Sequence, residues 1–299
     1  STQSSPPASV ASKAKHAPPP FTPNALNVAG SHVHNHLPFL QNPLDSQGRP
    51  PDHSDYDPRT LKVQSKDWVK ITGKNMTDAV KQWWDLKSQY YDTVLLFKTG
   101  KFYELYHMDA DVGVQVCGLI YMKGHVAHCG FPEIAYGENA DKLVRAGYKV
   151  ARVEQTETPD QLKERKKKFT RGSAPKVVNR EVCSVMTLGT RTFCYLDDKS
   201  DVLDEVPRSE IGPLLAIREV LLATNNEASD DAESVQPVCE YGVTLVDAVR
   251  GSVTLGQFAD DVLRSRMVTL LTTFSPSEVR LLVSCITSTS RFSSFTDSY

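Results

Sequence analysis

Surplus positive charge is the first thing this sequence is short of: 34 Lys and Arg stand against 36 Asp and Glu, a formal net charge of −2. Without a basic balance there is no global electrostatic pull on nucleic acid, so any such surface must be local. Cysteine is sparse too. The six, Cys117, Cys129, Cys183, Cys194, Cys239 and Cys285, lie far apart with no CxxC pair. That argues against zinc and dithiol redox motifs and fits reduced thiols in a cytosolic or nuclear compartment. No apolar run approaches the roughly 18–20 residues that span a bilayer, and no signal peptide opens the chain. A GxxxxGK[ST] phosphate loop is absent from all 299 residues, so nucleotide binding cannot be attributed to them. The first residue is Ser1 rather than Met, which reads as a fragment.

Residues 1–65 are rich in Ser, Pro, His and Asn and bury too little apolar area to offset chain entropy, so they read as a mostly disordered tail. His32, His34 and His36 alternate, but without Cys or carboxylate partners they read as solvated chance histidines rather than metal ligands.

Helical spacing begins after Thr77, an N-cap residue type: Val80, Trp83, Trp84, Lys87, Tyr90 and Tyr91 recur at three and four residues. The stripe reads as core. A helix from about Asp109 can end at Gly118, and another from Ile134 can end at Gly147. Leu119–Met122 and His125–Phe131 read as two strands about a Lys123-Gly124 turn, and Tyr148–Glu154 as a further strand. Together these give a compact α/β domain with a mixed sheet over about 66–160. His107, His125, His128 and Cys129 match no strong ligand spacing.

From 161 to 177 the composition turns basic. Lys163, Arg165, Lys166, Lys167 and Lys168 surround a single acid, Glu164. The run is either a solvated linker or a track for a phosphate backbone, and both readings stand.

A second domain is expected over 178–284. It opens with a hairpin of Val182–Leu188 and Arg191–Tyr195, continues with a strand Leu214–Leu222, and contains an acidic mobile loop at 225–236. Tyr241–Asp247 and Ser252–Phe258 form a second hairpin. A helix then presents Leu263, Met267, Leu270, Leu271 and Phe274 on one face, and Val279–Val283 adds a strand beside the hairpin. Asp247, Asp260 and Asp261 sit near strand ends and raise the alternative of a two-metal nuclease, whose ions lie roughly 3.5–4 Å apart. Three acids near strand ends are common by chance, and no metal site is assigned.

The most distinctive stretch is VLLFKTGKFYELYHMDADVG, Val94 to Gly113. It reads as a strand, a tight turn at Thr99-Gly100 and a second strand over Lys101–Tyr106. Phe102 and Glu104, two apart, share one face of that strand. From the local pattern alone Phe102 reads as a core residue and Glu104 as a cap on a neighbouring backbone group. Lys101 and Lys123, each beside a turn, are candidate phosphate contacts.

GKFYELYHMDA, followed by HVAHCGFPEIAYGENADKLVRAGYKVARVEQTETP, resembles the mismatch-recognition domain of the MutS family, of the kind that forms the mismatch-reading subunit of eukaryotic MutSα. The likeness covers about 37–284; residues 285–299, rich in Ser and Thr, depart from it. His36–Leu40 through Asp57–Leu61 resembles the lead-in to that domain, an ordered strap on its surface. The resemblance implies a small mixed-sheet mismatch-recognition domain followed by an RNase H-like connector domain. It implies that Phe102 stacks on a mispaired base in the minor groove while Glu104 hydrogen-bonds a base and the duplex kinks. It further implies DNA with mispairs or small loops and a second MutS-homologue subunit as partners, and the nucleus as location. The family's full-length proteins use ATP and Mg²⁺, but no cofactor and no enzymatic activity are expected of this stretch. The alternative is an interaction module that docks a partner MutS subunit without binding DNA itself.

Overall fold

The computed structural model describes residues 32–168, 174, 176–194, 212–221 and 239–282. The expected disorder of 1–31, the acidic loop at 225–236 and the tail at 285–299 lie outside the described residues.

The first sheet is built around β1 (Thr93–Thr99), whose side chains from Thr93 to Lys98 are all buried. A strand covered on both faces needs neither a polar face nor alternation. Accordingly Val94 and Leu96 enter one core while Leu95 and Phe97 enter another. Antiparallel β2 (Phe102–Tyr106) and β3 (His128–Pro132) lie to one side of β1. Parallel β4 (Lys149–Gln155) and antiparallel β5 (Arg180–Met186) lie to the other, giving the order β3-β2-β1-β4-β5. α4 (His107–Cys117) and α5 (Tyr136–Arg145) cover the Val94 face with Ala110, Val112, Ala140, Leu143 and Val144. α3 (Asp78–Lys87) covers the opposite face with Trp83 and Trp84. The Thr77 hydroxyl accepts the Val80 amide at its N-terminus, 3.3 Å. Gly118 ends α4 at φ 70°, a conformation costly to any residue with a Cβ.

Residues 32–65 contradict the expected tail and are more than a surface strap. Leu37, the short helix α1 (Pro38–Gln41) with Phe39 and Leu40, Leu61 and then Trp68 of α2 (Ser65–Thr72) complete the second core. His32 and His34 are buried, not solvated. His34 Nε2 lies 2.9 Å from the Asp111 carboxylate, and His32 packs on the Tyr121 ring at 4.8 Å. His107 lies among Trp83, Trp84 and Trp68 at φ 53°.

Three further expectations are corrected. Residues 119–124 form no strand; a bond from the Met122 amide to the His128 carbonyl, 2.7 Å, carries the chain into β3. The basic run is helical, α6 (Pro159–Lys168), with Leu162 buried. The strand expected to open the second domain is β5, which pairs with β4 from Val150–Met186 to Gln155–Arg180 and so belongs to the first sheet. It leads into a 3-10 turn at Leu188–Cys194 rather than a hairpin.

The second sheet has the order β8-β7-β6-β9, from β6 (Leu214–Leu221), β7 (Cys239–Asp247), β8 (Ser252–Asp260) and β9 (Glu278–Leu281). β9 adds to β6 in parallel, not to the hairpin as expected. α7 (Ser265–Phe274) sets Met267 against Leu215, Ile217, Tyr241, Val243 and Leu245.

Candidate nucleic-acid interface

β1 and β2 join through Gly100-Lys101, with Thr99 paired to Phe102. Gly100 adopts φ 60° at the first of two turn positions, the conformation a tight hairpin demands there and one that glycine supplies without strain. The alternation of β2 then divides its side chains. Tyr103 and Leu105 point into the first core with no exposed surface, whereas Phe102, Glu104 and Tyr106 take the other face. Near Tyr106 that face is roofed by α3, with Trp83 6.3 Å away ring to ring. At the hairpin end the roof is gone, and Phe102 is 47% exposed. The reading of Phe102 as core is therefore wrong: its partner Thr99 is the last residue of β1, so the ring sits at the very end of the paired strands.

Glu104 is held rather than free. Its Oε2 accepts the Tyr106 hydroxyl at 2.5 Å. His128 Nε2 lies 3.5 Å from the same oxygen, within ion-pair reach but too long for a well-formed hydrogen bond. The Tyr106 and His128 rings stack, 4.5 Å apart and 8° from parallel. Gly130 faces Glu104 across the β2–β3 ladder, where a Cβ would meet the Tyr103 carbonyl oxygen at 2.8 Å. Partial burial works to raise the Glu104 pKa, but His128, Tyr106 and the Thr99 hydroxyl outweigh it and hold the carboxyl below its usual value.

The hairpin end of the sheet collects more of the candidates. Lys101 is exposed at the turn, and its carbonyl accepts the Glu133 amide at 2.9 Å. Beside it Ile134 stands 80% exposed. Because β4 runs parallel to β1, with Phe97 level with Val153, its last residues reach this same end, and α6 follows β4 in the chain. Within α6 two of the five basic candidates are occupied. Arg165 makes a two-pronged contact with Glu157, 2.7 and 2.6 Å, and Lys163 pairs with Asp160 at 2.9 Å. Lys166, Lys167 and Lys168 are exposed and make no ion pair among the described residues. Lys123 does not join the group: its loop is tied beside His128, which pairs with Tyr106 at the far end of β2. Four residues of strand, about 13 Å, separate that end from Phe102.

The acidic alternative meets a geometric obstacle. Asp247 pairs with Ser252 and Asp260 with Cys239, at opposite ends of the β7–β8 hairpin, far beyond the separation of a two-metal site. Asp260 and Asp261 cap α7: Asp260 takes the amides of Arg266 and Met267 at 3.1 and 2.9 Å, and Asp261 those of Leu263 and Ser265 at 2.8 and 3.2 Å. No group of three His, Cys, Asp or Glu able to hold a metal exists among the described residues. No helix among them is long and apolar enough to cross a membrane.

Sequence reasoning missed Tyr106, His128 and Gly130. The signal was the two-residue alternation His128, Gly130, Pro132, which registers against Tyr106, Glu104, Phe102 once the two strands are known to pair.

Comparison with known proteins gives a match to the family described as MutS domain I over residues 77–193. The chain is 43% identical over 249 residues to the probable DNA mismatch repair protein Msh6 of Drosophila melanogaster, covering 81% of this chain and 19% of that protein. It is 41% identical over 236 residues to the DNA mismatch repair protein Msh6 of Homo sapiens, covering 79% and 16%. With the DNA mismatch repair protein MutS of Rickettsia conorii it shares 30% identity over 205 residues, covering 56% and 22%. The chain thus spans about a fifth or less of the length of its two Msh6-type relatives.

Proposed function

Because the chain belongs to the MutS family of DNA mismatch repair proteins, of the Msh6 type, we propose that the β1–β2 hairpin tip is a wedge that tests duplex DNA for mispairs. One observation carries this reading: the aromatic ring of Phe102 stands half out of the protein at a hairpin tip, beside a carboxylate its neighbours keep charged. Duplex near a mispair unstacks and bends more readily than fully paired duplex, so an apolar wedge discriminates by deformability rather than by sequence. Phe102 supplies the stacking face. Glu104 supplies an acceptor for a base-edge donor, and where that bond does not form its charge is repelled by the phosphates, which penalises ordinary duplex. Lys101 and the exposed lysines of α6 supply positive charge for the phosphate backbone.

The second sheet, with α7, takes the part of the family's RNase H-like connector, relaying to a lever and an ATPase. A nucleus-located complex with a second MutS homologue is the setting. ATP and Mg²⁺ are what the family's full-length proteins use, and this sequence contains no GxxxxGK[ST] phosphate loop. The second reading, a module that docks a partner subunit, draws on the bare face of β8, where Val253 and Leu255 are 63% and 76% exposed.

Phe102→Ala tests the wedge. Base stacking on an aromatic is worth roughly 1–3 kcal/mol, so preference for a G·T mispair over homoduplex should fall by up to about a hundredfold. Because the ring is half exposed, stability should change by less than the roughly 3–5 kcal/mol that truncating a core Phe costs. Mismatch preference kept in a folded Phe102→Ala protein, measured by competitive binding, removes the assignment.

A further inference from the structure

We propose that Tyr106 and His128 are positioning residues that set how Glu104 meets DNA, the hydroxyl by fixing one carboxylate oxygen and the imidazole by holding the tyrosine ring in place from its stacked face. The inference rests on the wedge reading of Phe102 and Glu104. Its basis is that the Tyr106 hydroxyl and His128 Nε2 converge on one atom, Glu104 Oε2, and leave Oε1 with neither. A carboxylate on three rotatable bonds otherwise samples several orientations. One pinned by a 2.5 Å bond to a ring that is itself stacked on a second ring does not. Gly130 secures the arrangement, since any side chain opposite Glu104 would collide with backbone.

The groups facing Glu104 are few. Tyr106 comes from its own strand, Thr99 and Phe97 from β1, and His128 from β3. Arg180 of β5 lies over the Phe97 ring at 4.7 Å and is bound to Gln82 of α3 and the Lys98 carbonyl. His128 Nε2 is buried, makes no hydrogen bond among the described residues and lies 3.5 Å from Oε2, so the imidazole bounds the pinned oxygen and backs the tyrosine ring without binding the carboxylate itself.

The experiment measures the affinity ratio between G·T and homoduplex oligonucleotides, and the melting temperature, in the full-length protein assembled with its partner. Four proteins are compared: wild type, Tyr106→Phe, His128→Gln and Glu104→Gln. Tyr106→Phe removes one hydroxyl without opening a cavity, and partial loss of orientation should lower the ratio about three- to tenfold. His128→Gln removes the ring stacked on Tyr106 and should lower the ratio in the same direction. A packing role alone would move the melting temperature and leave the ratio intact. If Glu104→Gln leaves discrimination at the wild-type level, the wedge reading of Glu104 is what fails. If Glu104→Gln reduces it while Tyr106→Phe and His128→Gln both keep the wild-type ratio, the positioning role is overturned and the wedge stands.

Discussion

Lys87 and Asp109 have no exposed surface, and they fix the frame from which the hairpin projects. Lys87 Nζ donates to Asp109 Oδ1 and to the Thr93 carbonyl, both at 2.6 Å, and Asp109 Oδ2 accepts the Leu95 amide at 2.9 Å. The pair thereby locks α3 and α4 to the first half of β1. Burial drives the lysine pKa down and the aspartate pKa up, with each partner opposing the shift of the other. Removing one partner leaves an uncompensated charge in the core. Lys87→Met should therefore cost about 3–5 kcal/mol, while adding Asp109→Asn, which keeps an acceptor for Leu95, should return much of it. Chemical denaturation of the three proteins decides this, and a single mutant no less stable than the double would count against it. The same scale governs Glu104. Its folded pKa is lowered, so the stability it contributes is present above the ordinary carboxyl value and disappears as the pH falls through the folded one.

Elements show why part of the fold could be read from the sequence and part could not. α3 was legible because its cap, Thr77, and its three-and-four spacing are local, and so were the ends of α4 and α5 at Gly118 and Gly147. The lead-in was not legible: Leu37, Phe39, Leu40 and Leu61 follow no period, and only the surface they fill, Trp84 and Leu95 among others, gives them a core role. β5 was placed in the wrong unit because its partner, β4, lies across the charged helix, and pairing over such a distance leaves no local mark. At the site the family motif marked Phe102 and Glu104, whereas Lys123 looked equivalent to Lys101 only because both flank turns. The lead-in also carries a pH dependence. Burial, then His34, His32 and Lys87, push the His107 pKa well below its ordinary 6.5, and burial lowers that of His32. The unfolded chain takes up protons near pH 6.5 that the folded one refuses, so stability should hold above that pH and decline as the pH drops from about 6.5 toward 5. His107→Asn suits the φ of 53° and should flatten the decline, which melting temperatures across that range would record.

For the whole molecule, net charge and local charge point in opposite directions. At −2 overall and a sequence pI near 6.4, the chain as a body is not drawn to DNA, yet Lys101 at the hairpin and Lys166, Lys167 and Lys168 of α6 are exposed and make no ion pair among the described residues. Each lysine that neutralises a phosphate releases counterions and steepens the dependence of binding on salt by a slope of about 0.9. Lys163 and Arg165 already pair with Asp160 and Glu157, so the effect should come from the other three. Lys166→Gln, Lys167→Gln and Lys168→Gln together should weaken mispaired and paired duplex alike and reduce the slope of log K against log salt by up to about 3. Lys163→Gln alone should change it little, and the mismatch preference, which we propose rests on Phe102 and Glu104, should survive both. Binding isotherms between about 50 and 200 mM salt are enough to measure this. An unchanged slope in the triple mutant would leave α6 as a solvated helix and confine the DNA contact of this region to the hairpin itself.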